Sequence, residues 1–175
     1  MISDWVYTPI SVSMPLAEDI ALIARQEAIL RFPRFDEETA WQLGSRLREM
    51  AVSRELPIVI DVRRFGQPLF YSALAGTSPD NAEWARRKGN AVARFHRSSY
   101  AMGLEMQLKN TTLFDKFGLT LVEFAAHGGG FPLAVAEAGV IGSVTVSGLP
   151  QRDDHQLVVE ALCLETGHDF SALRL

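Results

Sequence analysis

His127-Gly128-Gly129-Gly130-Phe131-Pro132-Leu133 is followed by Gly139-Val140-Ile141-Gly142-Ser143-Val144-Thr145-Val146-Ser147-Gly148, and then by Asp153-Asp154-His155. Two apolar, β-branched runs joined by the short turn Ala138-Gly139 predict paired strands over Phe131 to Glu137 and Val140 to Ser147. The acids of Asp153-Asp154 suit the positive end of a helix, which the apolar stripe Leu157, Ala161 and Leu164, with Val158 and Leu162 beside it, carries to about Glu165. A glycine-lined turn, a hairpin and a helix are therefore expected in that order.

Upstream, Leu119 to Ala126 reads as a further strand. Pro57-Ile58-Val59-Ile60-Asp61-Val62-Arg63 and Leu69-Phe70-Tyr71-Ser72-Ala73-Leu74, separated by Phe65-Gly66-Gln67-Pro68, predict an antiparallel hairpin. Between these lies a long helical region opened by Ser78-Pro79-Asp80, with Trp84, Lys88, Ala91, Val92 and Phe95 at helical spacing. At the start, residues 1–14 read as a β-prone arm. A helix follows from Ser13 and Pro15, with Leu16, Ile20, Ile23 and Leu30 near one face. Phe32-Pro33-Arg34-Phe35 breaks it, and Asp36-Glu37-Glu38 caps a second helix running to about Glu55. Helices grouped apart from hairpins point to an α+β domain with helices packed on an antiparallel sheet.

Composition bounds the function. A chain of 175 residues, 47% hydrophobic, suits one domain with one sizeable core. A net charge of −4 argues against nucleic acid or anionic membrane as the main partner. Cys163 is the single cysteine, the start lacks the pattern of a secretory signal, and no uncharged run reaches the ~18 residues of a membrane helix, so a cytoplasmic location is expected.

The candidate chemistry lies in the opening stretch. Gly128, Gly129 and Gly130 can hold an anion in a backbone nest or let a flat ligand lie on the main chain, but a sharp turn between strands needs glycine equally. His127 abuts the triplet and His155 opens the last helix beside Asp154, so the two imidazoles are candidates for a ligand-binding pair. Simple helix capping accounts as well for Asp153 and Asp154. The basic run Arg86, Arg87, Lys88, Arg94 and Arg97 can face a carboxylate or simply be solvated. There is no Cys-x₂-Cys or His-x₃-His spacing for structural zinc, no phosphate-binding or dinucleotide glycine loop, and no G-x-S-x-G elbow at Ser147. No catalytic residue can be named.

The three quoted segments together resemble the haem-degrading-domain family of GlcG-like and HbpS-like proteins. Leu149-Pro150-Gln151-Arg152-Asp153-Asp154-His155 looks like an uncharacterised subfamily of that group shared by bacteria and fungi. The resemblance is specific over residues 119–165 and looser elsewhere, with residues 1–55 standing out as an N-terminal helical extension to a single domain. It implies a profilin-like three-layer α/β/α sandwich with a five-stranded antiparallel sheet, assembled into homo-oligomers. It also implies a connection to haem or a related tetrapyrrole, for which His127 is the chemically reasoned iron ligand. The alternative is a non-catalytic assembly or interaction protein whose glycine loop and Asp153-Asp154-His155 shape a subunit interface.

Overall fold

The computed structural model describes residues 13–175, and the expected N-terminal arm lies almost wholly outside them. Its elements run α1 (Ser13–Ile29), β1 (Arg31–Phe32), α2 (Glu37–Ser53), β2 (Val59–Arg64), β3 (Gln67–Ala73), α3 (Pro79–Phe95), α4 (Ser99–Leu108), α5 (Leu113–Phe117), β4 (Gly130–Val135), β5 (Gly139–Ser147) and α6 (Gln151–Thr166). The five strands form one sheet in the order β1-β4-β5-β2-β3.

The sheet is mixed, which corrects the purely antiparallel expectation. β2, β3, β4 and β5 pair antiparallel, but β1 joins β4 in parallel, with Arg31 opposite Ala134 and Phe32 opposite Val135. A strand entering from the end of α1 has no hairpin to reverse it against β4. The predicted strand at Leu119 to Ala126 is not one. Thr120 starts a turn, accepting from the N–H groups of Glu123 and Phe124, and the segment is tied to α3 by the Arg86, Arg87 and Asn90 side chains, which donate to the carbonyls of Val122, Leu121 and Glu123. Its β-branched character reflects apolar surface, not pairing.

The helices start where their caps require. Asp36 accepts from the Thr39 N–H at 2.9 Å, and the Ser78 N–H donates to Asn81 at 2.8 Å with Pro79 in the first turn. Alternation along β5 sends its side chains to two different layers. Val144 and Val146 join Ile58, Ile60, Val62, Phe131 and Leu133 in the main core, against Leu43 and Leu47 of α2 and Val158 and Leu162 of α6. Ser143, Thr145 and Ser147 turn to the opposite face, where α3 crosses at Gly89. A Cβ on Gly89 would lie 3.6 Å from both Ser143 Oγ and Thr145 Oγ1. Packing on a polar sheet face brings α3 close to the end of β5, and that proximity makes the site. Away from it, α1 packs on α4 through Ile23, Tyr100 and Leu104. Among the described residues no helix is long and apolar enough to cross a membrane.

Candidate functional site

Asp80, Trp84 and Lys88 are four residues apart on α3 and so share one helical face. That face meets the end of β5 at Ser147, the following Gly148 and Leu149, the first turn of α6 at Gln151 and Asp154, and His127 from the loop before β4. Together these enclose a polar cleft of about 280 Å³.

Its floor is a buried ion pair. Lys88 Nζ lies 2.8 Å from Asp154 Oδ2 and donates to the Val146 carbonyl at 3.2 Å, while Asp154 Oδ1 accepts from the Leu149 N–H at 3.0 Å. Burial pushes the lysine below its usual range and the aspartate above its own, each partly offset by the opposite charge of the other. Both shifts run in the direction of proton transfer from the lysine to the aspartate.

The glycine triplet makes this packing feasible. Gly129 has φ +121°, and a Cβ there would overlap the Val146 carbonyl oxygen and come within 2.9 Å of Lys88 Nζ. On Gly128 it would run into the Gln151 carbonyl. The Gly130 N–H donates to Ser99 Oγ at 3.0 Å, Ser99 Oγ donates to the His127 carbonyl, and the Gly128 N–H reaches Gln151 Oε1 at 3.4 Å. Other residues line the clefts, and the triplet seats the loop closely against α3, α4 and α6.

His127 stands edge-on to Trp84, with ring centroids 5.0 Å apart, and the Arg87 guanidinium lies 4.2 Å from the centroid of the Trp84 ring. Its Nδ1 is buried without a hydrogen-bond partner among the described residues. Burial, then the charges of Lys88 and Arg87, hold the imidazole below the usual histidine range, so it is neutral at neutral pH. The same ring borders a second, apolar cleft of about 350 Å³ walled by Met106, Leu113, Phe114, Leu119, Leu121 and Ala126. A neutral imidazole between polar and apolar surfaces can hold a metal ion carried by a mostly apolar ligand. Among the described residues no group of three or more His, Cys, Asp or Glu side chains is gathered, so an all-protein metal cage is not formed there.

His155 is not brought to His127. One residue along an α-helix rotates the side chain by roughly 100°, so Asp154 faces the cleft and His155 points into the interior, fully buried against Tyr100 and Phe131. Its Nε2 lies 2.8 Å from Gln26 Oε1, and Gln26 Nε2 donates to the Leu173 carbonyl at 2.6 Å. Gln26 therefore offers its oxygen to His155, whose Nε2 carries the proton. Burial drops the His155 pKa to about 3, with Arg152 a smaller cause. The expected histidine pair is replaced by one ring at the clefts and one in the core.

The basic run also divides. Arg86 pairs with Glu123, Arg97 with Glu105, and Lys88 alone turns inward. Its inward position follows from the small and apolar neighbours Ala85, Ala91 and Val92, which mark the buried side of α3. That signal singles out Lys88, and the four-residue spacing adds Asp80 and Trp84. Gln151 carried none. Cys163 is a buried thiol pushed up to about 11 by its surroundings, burial first.

A family model described as haem degrading protein HbpS-like matches residues 35–163. A UPF0303 protein of Acidobacterium capsulatum is 66% identical over 162 residues, covering 93% of this chain and 98% of that protein. Among solved structures, the Ybr137w protein superimposes with a TM-score of 0.80 at 25% identity, over 87% of this chain and 94% of that one. The structure described as a PduOC:Heme complex gives 0.64 at 17% identity, over 74% and 93%, a likeness of fold. The chain belongs to the HbpS-like family.

Proposed function

We propose that this HbpS-like protein binds haem or a related flat tetrapyrrole, with His127 as the iron ligand and the apolar cleft beside it as the seat of the macrocycle. The observation that carries the reading is the neutral His127 ring at the boundary of an apolar and a polar cleft. A tetrapyrrole matches the apolar side with its ring system and the imidazole with its metal. The family's description as haem degrading and the haem complex of a fold neighbour support the same class of ligand.

The residues present fit such a group. Met106, Leu113, Phe114, Leu119 and Leu121 supply the apolar wall, and Ser99 anchors the His127 backbone by accepting from Gly130 and donating to the His127 carbonyl. When bound, the iron supplies axial-ligand and redox chemistry. The chain's part is to present an unprotonated imidazole, exclude water on the apolar side and hold the loop rigid through the glycine contacts. Haemin titration followed at the Soret band tests this. Saturable binding is expected, weakened in His127→Ala, and binding equal in both proteins would overturn the ligand assignment.

A second reading has its own observation. Phe114 and Leu121, which line the apolar cleft together, are 61% and 65% exposed, and exposed apolar clusters mark contact surfaces. They support a homo-oligomer in which a second copy covers the apolar cleft. Light scattering of the full chain tests it, since a strictly monomeric solution contradicts assembly and leaves the haem reading standing.

A further inference from the structure

We infer that Lys88 is an imine-forming amine and that the polar cleft takes a small, uncharged, hydroxylated aldehyde or ketone. This goes beyond the haem reading and does not use the apolar cleft.

A lysine with only 5% of its side chain exposed is costly unless all its donors are met. Two of the three Nζ–H groups have partners, Asp154 Oδ2 and the Val146 carbonyl. Among the described residues the third has none, and Lys88 is one of the residues lining the cleft. That leaves one N–H for a molecule that enters the cleft. The carboxylate is fixed beside the amine by its second oxygen, which accepts from the Leu149 N–H. Burial of both groups lowers the cost of passing a proton from the ammonium to the carboxylate, and that transfer frees the amine that imine chemistry needs.

The lining selects the carbonyl partner. Among the described residues no second Lys or Arg lines the cleft, while Asp80 and Asp154 do. A ligand carboxylate would thus lose its cation once the amine had reacted. Asn81, Ser147 and Gln151 offer amide and hydroxyl groups to ligand hydroxyls, and the Trp84 indole, held by its N–H to Asp80 at 3.1 Å, offers a flat apolar surface. A volume of about 280 Å³ suits a molecule smaller than drug-sized.

The step balances without a further reactant. The Lys88 ammonium first passes a proton to Asp154; the freed nitrogen attacks the carbonyl carbon, a C–N bond forms, and the carbonyl oxygen takes the Asp154 proton. The resulting ammonium returns a proton to Asp154, which then protonates the departing hydroxyl. Water leaves, the nitrogen lone pair closes the C=N bond, and the protonated imine is left opposite the Asp154 carboxylate.

The sequence contains its own controls, because Lys88, Lys109 and Lys116 are its three lysines and the last two are exposed. The full chain, free of haem, is incubated at pH 7 with glycolaldehyde and cyanoborohydride, which reduces an imine to a stable secondary amine, and each lysine is read by peptide mass spectrometry. Lys88 is expected to be labelled several-fold ahead of Lys109 and Lys116 despite its burial. Labelling that follows exposure, with Lys88 last, overturns the proposal. Pyruvate in place of glycolaldehyde should reduce labelling of Lys88 several-fold more than it reduces labelling of Lys109 and Lys116, and an equal reduction overturns the uncharged class. Asp154→Asn, checked for folding by circular dichroism, should slow Lys88 while Lys109 and Lys116 keep their rates; an unchanged Lys88 rate removes Asp154 from the step. The wild-type comparison decides the main point even where that variant does not fold.

Discussion

Lys88 and Asp154 meet with Nζ and Oδ2 2.8 Å apart and only 5% and 2% of their side chains exposed, joining the middle of α3 to the first turn of α6. The contact closes the polar cleft from beneath and ties together segments 66 residues apart in sequence. Whatever the cleft binds, this pair is a structural element too.

Removing one partner strands a buried charge, which typically costs about 3–5 kcal/mol. Lys88→Met and Asp154→Asn should each lower unfolding free energy by that order in urea titrations. The double substitution should cost much less than their sum, because neither charge is then left alone. Additive losses would show that the pair is not energetically coupled.

Gly129→Ala tests whether the triplet is needed for approach or only for turning. Gly129 and Gly139 both have positive φ, at +121° and +79°, but nothing lies within 4 Å of a Cβ on Gly139, whereas on Gly129 it would overlap the Val146 carbonyl. Gly139→Ala should cost roughly the 1–2 kcal/mol of a left-handed residue. Gly129→Ala should cost clearly more, read as the difference between the two urea midpoints. Equal losses would leave only the conformational role.

Much of this was readable because local chemistry and tertiary structure agree. The Ile58–Val62 hairpin, the Asp36 and Ser78 helix starts and the β4–β5 ribbon each carry turn or cap residues in place. One strand was missed and one was read where none forms, each for its own reason. Arg31–Phe32 is too short to show a period, and Leu121 and Val122 are β-branched or apolar residues on an exposed loop held by α3 side chains. At the site, the Gly128–Gly130 loop and Asp154 were marked by their residue types. Which of two neighbours, Asp154 or His155, faces the cleft depends on how α6 is rolled against the sheet, and the apolar stripe of that helix was too broad to say.

Haem binding gives a prediction with two separable arms. His127→Ala removes the proposed iron ligand and should weaken haemin binding by roughly tenfold or more, about 1.4 kcal/mol, with a changed Soret position. Phe114→Glu puts a charge on the apolar wall at a residue 61% exposed, so the fold should survive and affinity alone should fall. Loss in the second variant with an unmoved Soret band in the first would keep the cleft and remove His127 as ligand.

The last prediction concerns acid stability and rests on His155. In the folded chain its pKa is about 3, against an ordinary 6.5, because a fully buried imidazole cannot be charged cheaply. Between those values the unfolded chain binds the proton and the folded chain does not, so acid favours unfolding. The histidine costs no stability above pH 6.5, and below it stability falls by about 1.4 kcal/mol per pH unit down to about pH 3. Asp61, Asp154 and Glu27 act in the opposite sense. Burial is the main cause that raises each of them, so the folded chain gains their protons first and is stabilised as pH drops. The net curve therefore hides the histidine, and the comparison must be with His155→Gln, whose amide can still meet Gln26 but does not titrate. The gap between the two stability curves should close by about 3 kcal/mol on going from pH 6.5 to pH 4 in urea titrations. Parallel curves over that range would mean that His155 keeps its ordinary pKa inside the fold, with water accepting from Nδ1, which has no partner among the described residues.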